Sequence, residues 1–126
     1  MSGSSSVPGR RVGRMSRRRF EQAMLLMRKT DPQAREGAFD FLREHADAYA
    51  GELIEEFAAE PDDDLRCRLL ELIAEARAPE ALAVFRDQLE SPDETLRFWA
   101  VRGLEMLDSR AAEQALEQAR EDGWIA

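Results

Sequence analysis

The chain has 126 residues, of which 44% are hydrophobic, 35% are charged and 7% are aromatic. This length suits one small domain, and abundant Ala, Leu, Glu and Arg with few β-branched residues favour helices over strands. The single cysteine, Cys67, excludes an internal disulfide. No apolar run is long enough to cross a membrane and no signal-peptide core is present, so we expect a cytoplasmic protein without a membrane partner.

The net charge of −8 is divided unevenly along the chain. Residues 1–30 carry eight basic residues against one acidic residue, a net charge of +7, so the remaining 96 residues carry −15. Residues 1–15 are rich in Ser, Gly and Arg and contain little to bury, and we predict that they form a disordered basic arm. Such an arm could contact nucleic acid. A solvated tail and a true translation start at Met15 are the alternatives.

The next segment, residues 16–30, has the pattern of one amphipathic helix. Ser16 is placed to cap its first turn. Displaced by 62 residues, this segment aligns with a later helix, so we predict a half-repeat that caps the N-terminal end of an array. Its apolar positions follow at helical spacing and are expected in the core: Phe20, Ala23, Met24 and Met27.

An interval of 31 residues relates the rest of the chain to itself. Each interval contains two helical patterns joined by one to three residues, so consecutive helices are expected to be antiparallel neighbours. The first helices are expected at about 32–45, 63–77 and 93–107, and the second helices at about 49–59, 79–90 and 110–121. We therefore predict repeats at 31–60, 61–91 and 92–122, followed by a C-terminal tail at 123–126.

Two charged positions recur together with the apolar face of each first helix. An Asp opens the helix and an Arg follows four residues later, so each Asp can meet its own Arg or that of the adjacent repeat. We interpret this ladder as structural bracing. Capping residues mark the start of each first helix: Asp31 precedes Pro32, Asp62 lies within PDDD, and Ser91 and Glu94 are spaced for reciprocal capping. The ladder consists of Asp31, Arg35, Asp62, Arg66, Asp93 and Arg97.

The segments DDDLRCRLLELIAEARAPEALAVFRDQL and DETLRFWAVRGLEMLDSRAAEQAL resemble HEAT repeats of the short bacterial type. The shared pattern is an opening Asp, Leu-Arg shortly after it, small and apolar residues, and a tight turn before the second helix. The resemblance covers about residues 31–121 and implies an all-α fold, an α-solenoid of about three antiparallel helix pairs. It also implies a scaffold or a partner-binding surface in place of a defined chemistry.

The residues of this chain give little support to an enzymatic function of the kind that some HEAT-like proteins have. Di-iron hydroxylases with this kind of fold need several His–Glu ligand pairs, and His45 is the single histidine. Bilin lyases and DNA glycosylases are other relatives, but Cys67 aligns with Phe98 and is expected to be a buried, protonated thiol. A body charge of −15 repels a phosphate backbone. We therefore predict a non-catalytic protein with no metal and no cofactor.

Trp99 and Met106 break the repeat pattern, because Gly37 and Arg68 align with Trp99 and two glutamates align with Met106. The register predicts that both lie on the outer, solvent-facing side of the last first helix. One interpretation is that the C-terminal tail with Trp124 folds back and covers them. The other is a contact with a partner or with a second copy in a homodimer.

Acidic residues dominate the equivalent outward positions of the second helices, which line the concave side in HEAT-like arrays. An acidic groove of this kind favours a basic protein or peptide. The chain's own arm, residues 1–15, is one possible occupant, as an autoinhibitory pseudo-ligand, and a merely solvated face is the alternative. The acidic positions are Glu55, Glu56, Asp87, Glu90, Glu117 and Glu121.

These observations predict a protein-interaction or scaffold module, with a regulatory or immunity-type subunit as one form of it. The alternative is a nucleic-acid-associated protein that uses its Arg-rich arm while the acidic body binds a second protein. Salt-sensitive, arm-dependent binding of DNA or RNA would distinguish the second function from the first.

Overall fold

The computed structural model of the protein describes the backbone of residues 14–126 and the side chains from residue 17 onward. This part of the chain is all-helical and contains no strand, as the sequence predicts. Short 3-10 turns, Ala46–Tyr49 and Pro79–Ala81, precede α3 and α5. The helices are α1 Arg14–Met27, α2 Pro32–Glu44, α3 Ala50–Ala59, α4 Asp63–Ala76, α5 Leu82–Gln88, α6 Glu94–Leu107 and α7 Arg110–Glu121.

Three pairs follow α1, with α2, α4 and α6 as first helices and α3, α5 and α7 as second helices. Each first helix begins after an Asp whose carboxylate accepts hydrogen bonds from backbone N–H groups of the first turn. Asp62 accepts from Leu65 N at 2.9 Å, and Asp93 accepts from Thr95 N at 2.9 Å. The caps fix where the first helices start, because these N–H groups have no partner within the helix.

Two predicted caps are wrong. Ser16 lies inside α1, which already begins at Arg14, so it cannot cap that helix. Ser91 does not cap α6 with Glu94; its hydroxyl accepts from Asp93 N at 3.0 Å, and Asp93 itself is the N-cap. The predicted arm overlaps α1 at residues 14 and 15, and its other residues, 1–13, lie outside the described part of the chain.

Packing between first helices forms the centre of the core. α4 packs most extensively against α6, and α5 packs against α6 from the second layer. Ten side chains are almost completely buried, and no polar side chain among the described residues is buried. Apart from the hydroxyl group of Tyr49, this core is apolar, so burial of its side chains is the main stabilising term. The ten are Leu42, Leu53, Leu69, Leu70, Leu72, Ile73, Phe85, Leu89, Leu96 and Leu104.

Gly103 allows α6 to approach α5 closely. A Cβ atom at this position would overlap the ring of Phe85, which is fully buried. The equivalent residues are Leu72 in α4 and Phe41 in α2. In the third repeat the first helix has no side chain at this position, and Phe85 of the preceding second helix fills the space. Gly103 has no positive φ angle, so its backbone conformation does not require a glycine. The requirement is steric, because a side chain here would overlap Phe85.

The last turns of α4 and α6 are also equivalent. Arg77 and Asp108, which are 31 residues apart, both end their helices in the left-handed conformation, with φ angles of 51° and 50°. The first repeat differs, since the 3-10 turn of Ala46–Tyr49 replaces this ending. None of the described helices is long and apolar enough to span a membrane.

We expect Gly103→Ala to lower the free energy of unfolding by about 1–3 kcal/mol, because overpacking against Phe85 outweighs the gain in helix propensity. Gly37→Ala is the matched control. A Cβ at Gly37 would meet nothing within 4 Å, so this change should stabilise the protein by about 0.5–1 kcal/mol. Urea unfolding followed by circular dichroism measures both. Equal stabilisation by the two alanines would show that the Gly103 contact is not restrictive.

Candidate partner-binding surfaces

The six acidic residues that the sequence predicts for a partner-binding surface lie on α3, α5 and α7 and, for Glu90, in the turn after α5. We call this set the second-helix row. Five of its six predicted carboxylates are solvent-exposed. The sixth, Glu56, is half-buried, because its carboxylate lies 3.5 Å from the Arg28 guanidinium of α1. Those that remain exposed are Glu55, Asp87, Glu90, Glu117 and Glu121.

Helix α1 already binds to one end of the second-helix row through arginine side chains. Arg28 pairs with Glu60 as well as with Glu56, and Arg17 lies 3.8 Å from Glu52. The Phe20 and Tyr49 rings, whose centroids are 5.1 Å apart, pack between α1 and the start of α3. Glu52 and Glu56 of α3, and Glu60 directly after it, thus pair with guanidinium groups of a neighbouring helix.

A small cleft of about 120 Å³ opens on the same row between α5 and α7. Trp124 forms one wall and is 46% exposed. Glu90 and Asp122 contribute carboxylates to the lining, and Arg86 contributes a cation. The remaining lining residues are Leu89, Ala115, Gln118 and Ala119.

The turn that ends α7 places Trp124 in this cleft. Gly123 adopts a positive φ of 84°, which reverses the chain direction, and Trp124 N then donates to Ala119 O at 2.9 Å. A hydrogen bond from the N–H group of the residue after a left-handed glycine to the carbonyl oxygen five residues earlier is a common way to end a helix. Trp124 was not among the residues predicted for the acidic surface, although the Gly before it indicates such a turn.

The predicted outer stripe on α6 differs in the structure. Trp99 and Met106 are both half-buried and pack against the core, so the expectation of solvent-facing side chains is wrong. Register explains Trp99: its equivalent in α4, Arg68, lies over the Phe39 ring of α2, which shows that this position faces the preceding first helix. The aromatic neighbour of Trp99 is Phe98, in an edge-to-face contact at 5.1 Å.

Two exposed apolar side chains were not predicted from the sequence: Phe98 is 55% exposed and Leu25 is 60% exposed. Phe98 aligns with Cys67 and with Glu36, and the glutamate was the signal that this position faces solvent. The tail residue Trp124 lines the cleft between α5 and α7, and no ring contact among the described residues joins it to Trp99.

The ladder residues contact their neighbours differently from the prediction. No ion pair within residues 17–126 joins an Asp of the ladder to an Arg of the ladder, so the expectation of Asp–Arg pairing is wrong. Asp31 and Asp62 cap their helices, as the sequence predicts, and Asp93 caps α6 in the same way. Backbone N–H groups compete successfully for these carboxylates, because they lie closer and cost no side-chain entropy.

The arginines of the ladder have separate partners. Arg66 stacks on the ring of Phe57 with its guanidinium carbon 4.1 Å from the centroid. Arg97 donates to the carbonyl oxygen of Ser91 at 2.7 Å, which ties α6 to the turn before it. Arg35 lines a cleft of about 420 Å³ between the loop after α1 and the start of α4.

Cys67 is half-buried, not fully buried as predicted. Partial burial raises the pKa of its thiol to about 11, with further increases from Asp93, Asp64 and Asp63 that Arg66 partly opposes. Within the described residues, no three His, Cys, Asp or Glu side chains are grouped so that they could hold a metal ion.

Stacked antiparallel helix pairs with a common 31-residue register define this protein as an α-solenoid of helical repeats. A sequence model of HEAT repeats matches residues 50–125, which is more than half of the chain, so the chain belongs to the HEAT repeat family. Members of this family generally mediate protein–protein interactions. No curated protein and no solved structure gave a significant match.

We expect alkylation of Cys67 to be slow in the folded protein. The thiolate is the reactive form, and a pKa of about 11 instead of 9.0 lowers its population near neutral pH by about a hundredfold. The iodoacetamide rate should therefore keep rising about tenfold per pH unit up to about pH 10. In urea, where the protein is unfolded, the alkylation rate of the same thiol should level off near its ordinary pKa. A folded-state rate that levels off below pH 9 would contradict the raised pKa.

Proposed function

We propose that this HEAT repeat protein is a non-catalytic interaction module that binds a basic segment of another protein through the second-helix row. A regulatory or immunity-type subunit, which holds its target through that segment, is the form of this function that we favour. The observation that carries the proposal is the ion pair of Arg28 with Glu56 of the row, together with the pairs that Arg28 and Arg17 form with the neighbouring Glu60 and Glu52. These pairs support guanidinium groups as ligands of the row, and the carboxylates on α5 and α7 remain exposed for others.

The cleft beside Trp124 adds a specific position for one basic side chain. A guanidinium stacked on the exposed indole would be within the region that Glu90 and Asp122 line, and cation–π contact with Trp contributes about 0.5–2 kcal/mol. The molecule already contains such a stack, that of Arg66 on Phe57. Arg86 also borders the cleft and opposes a cation, whereas Glu90 and Asp122 attract one, so the net charge of the lining suits a single basic side chain.

The length of the row sets the size of the ligand. Packed helices lie about 8–10 Å apart, so α3, α5 and α7 together span roughly 20 Å. An extended peptide of about six residues covers that distance. Basic side chains about three residues apart in such a peptide would match the spacing of the helices. They would meet Glu55, Asp87 and Glu117 in turn, because Glu55 and Glu117 are equivalent in the repeats and Asp87 follows the equivalent residue, Arg86.

The nucleic-acid alternative depends on the arm at residues 1–15, most of which lies outside the described residues. No contact described here favours it, so it stays a prediction. The acidic body would oppose a phosphate backbone, and any such binding would have to come from the arm.

A direct test uses a fluorescein-labelled peptide with four arginines separated by glycine or serine, measured by fluorescence anisotropy in about 50 mM salt. We expect Glu90→Gln with Asp122→Asn to weaken binding about fivefold to tenfold, since two charge-assisted contacts are lost. Trp124→Ala should weaken it at least threefold through loss of the cation–π contact.

The control variant, Glu36→Gln with Glu75→Gln, changes the net charge equally but lies on first helices, where both residues are exposed. Its affinity for the peptide should remain within twofold of the unmodified protein. If this control loses as much affinity as the second-helix variant, net charge alone governs binding and the assignment of the row is wrong.

A further inference from the structure

A second open groove, of about 570 Å³, lies at the opposite end of the stack, between α1 and α2. Its floor is apolar and includes Leu26 and Phe41, which are half-buried. The polar residues that line it are Arg18, Arg19, Gln22 and Gln33, and no acidic residue is among them. From α2 the lining residues are Gln33, Ala34, Gly37, Ala38 and Phe41.

Repeat equivalence explains why this groove is open. The α2 lining positions correspond to Leu65, Arg68, Leu69 and Leu72 in α4 and to Leu96, Trp99, Ala100 and Gly103 in α6. In α4 and α6 most of this face is buried: Leu69, Leu72 and Ala100 are completely buried, and Leu96 is 2% exposed. Leu65 and Trp99 are half-buried, and Arg68 is exposed. Arg68 of this face contacts Phe39 in the preceding first helix. The groove is therefore the position at which α2 would receive a preceding first helix.

Helix α1 corresponds to only one helix, the second, of the helix pair that would precede α2. It packs on α2 and pairs with α3, so it lies in the layer of second helices. The first helix that would accompany it has no counterpart in the described residues. Small residues at Ala34, Gly37 and Ala38 leave room for a close approach, since a Cβ at Gly37 would meet nothing within 4 Å.

The rim of the groove is basic, in contrast to the acidic body. Arg18 and Arg19 are exposed, and neither forms an ion pair with any residue that the structure describes. Two unpaired cations beside an apolar floor favour an acidic amphipathic ligand and select against a basic one. Residues 1–13 contain Arg10 and Arg11 and no acidic residue, so charge disfavours them as the occupant.

A second copy of the chain also fits poorly. Its first helices already carry their own second helices, which would collide with α1 if α2, α4 or α6 entered the groove. Face-to-face pairing of two grooves would bring the Arg18 and Arg19 side chains of both copies together, and like charges at an interface disfavour it.

We propose that this groove binds a single amphipathic helix of another protein, whose apolar stripe is flanked by Asp or Glu. The bound helix would run antiparallel to α1 and parallel to α2, as a first helix does in this stack. Its apolar stripe would cover Phe41 and Leu26, and its acidic flank would meet Arg18 and Arg19. This surface and ligand differ from the second-helix row and its basic segment.

Two synthetic helical peptides test the proposal, with the same Leu and Ala stripe and with either Glu or Lys at the flanking positions. Fluorescence anisotropy with the full-length protein should show binding of the Glu peptide at least tenfold tighter than that of the Lys peptide. Arg18→Glu with Arg19→Glu should reverse this preference. Equal binding of the two peptides, or no binding of the Glu peptide, would overturn the proposal.

Gly37→Leu provides the steric test, because its side chain enters the groove from an open position and leaves the core unchanged. We expect this variant to lose at least tenfold in affinity for the Glu peptide, while Gly37→Ala loses less than threefold. Circular dichroism confirms that both fold. Undiminished binding by Gly37→Leu would place the peptide elsewhere.

Two further measurements distinguish this proposal from binding at the second-helix row and from a homodimer. Binding of the Arg peptide by the second-helix row should be unchanged in Gly37→Leu, so either assignment can fail without the other. Sedimentation equilibrium should show no dimer that depends on the groove. A dimer of the unmodified protein that dissociates in Gly37→Leu would assign the groove to a second copy and overturn the proposal.

Discussion

The close approach of α6 to α5 at Gly103 is the constraint on which the rest of the structure depends. Phe85 fills the space that a side chain on α6 would need, and the face with Leu96 and Ala100 is thereby sealed against α4 and α5. The same face of each first helix receives the preceding unit. Burial of this face places the apolar residues of the first helices in the core, while the solvent-exposed residues of the second helices include the carboxylates of the row.

Two surfaces of opposite charge follow from that arrangement. Along the second helices, apolar side chains face the core and acidic ones face solvent, with the turn at Gly123 adding Trp124 to the row. At the N-terminal end, α1 covers α2 only in the second-helix layer, and the uncovered part of α2 is apolar with Arg18 and Arg19 beside it. Our two proposals assign a basic ligand to the first surface and an acidic helix to the second, and two such ligands would not compete for one molecule.

Much of the fold could be predicted from the sequence, because it depends on local patterns that recur every 31 residues. Helix type, pairing and the Asp that precedes each first helix are all local. The side-chain partners depend on distances between helices, which periodicity does not contain. Asp93 therefore caps α6 where an ion pair with Arg97 was expected, and Trp99 packs inward. The acidic row was identified by position, whereas Trp124 required the geometry of the turn.

The most direct measurement is an NMR titration of the ¹⁵N-labelled full-length protein with the arginine-containing peptide at low salt. Trp99 and Trp124 are the two tryptophans and give separate indole N–H signals. Our account predicts that the Trp124 indole and the amides of α5 and α7 shift, while the Trp99 indole and the amides of α2 and α4 stay in place. Shifts centred on the first helices, or spread evenly over the molecule, would contradict the assignment of partner binding to the second-helix row.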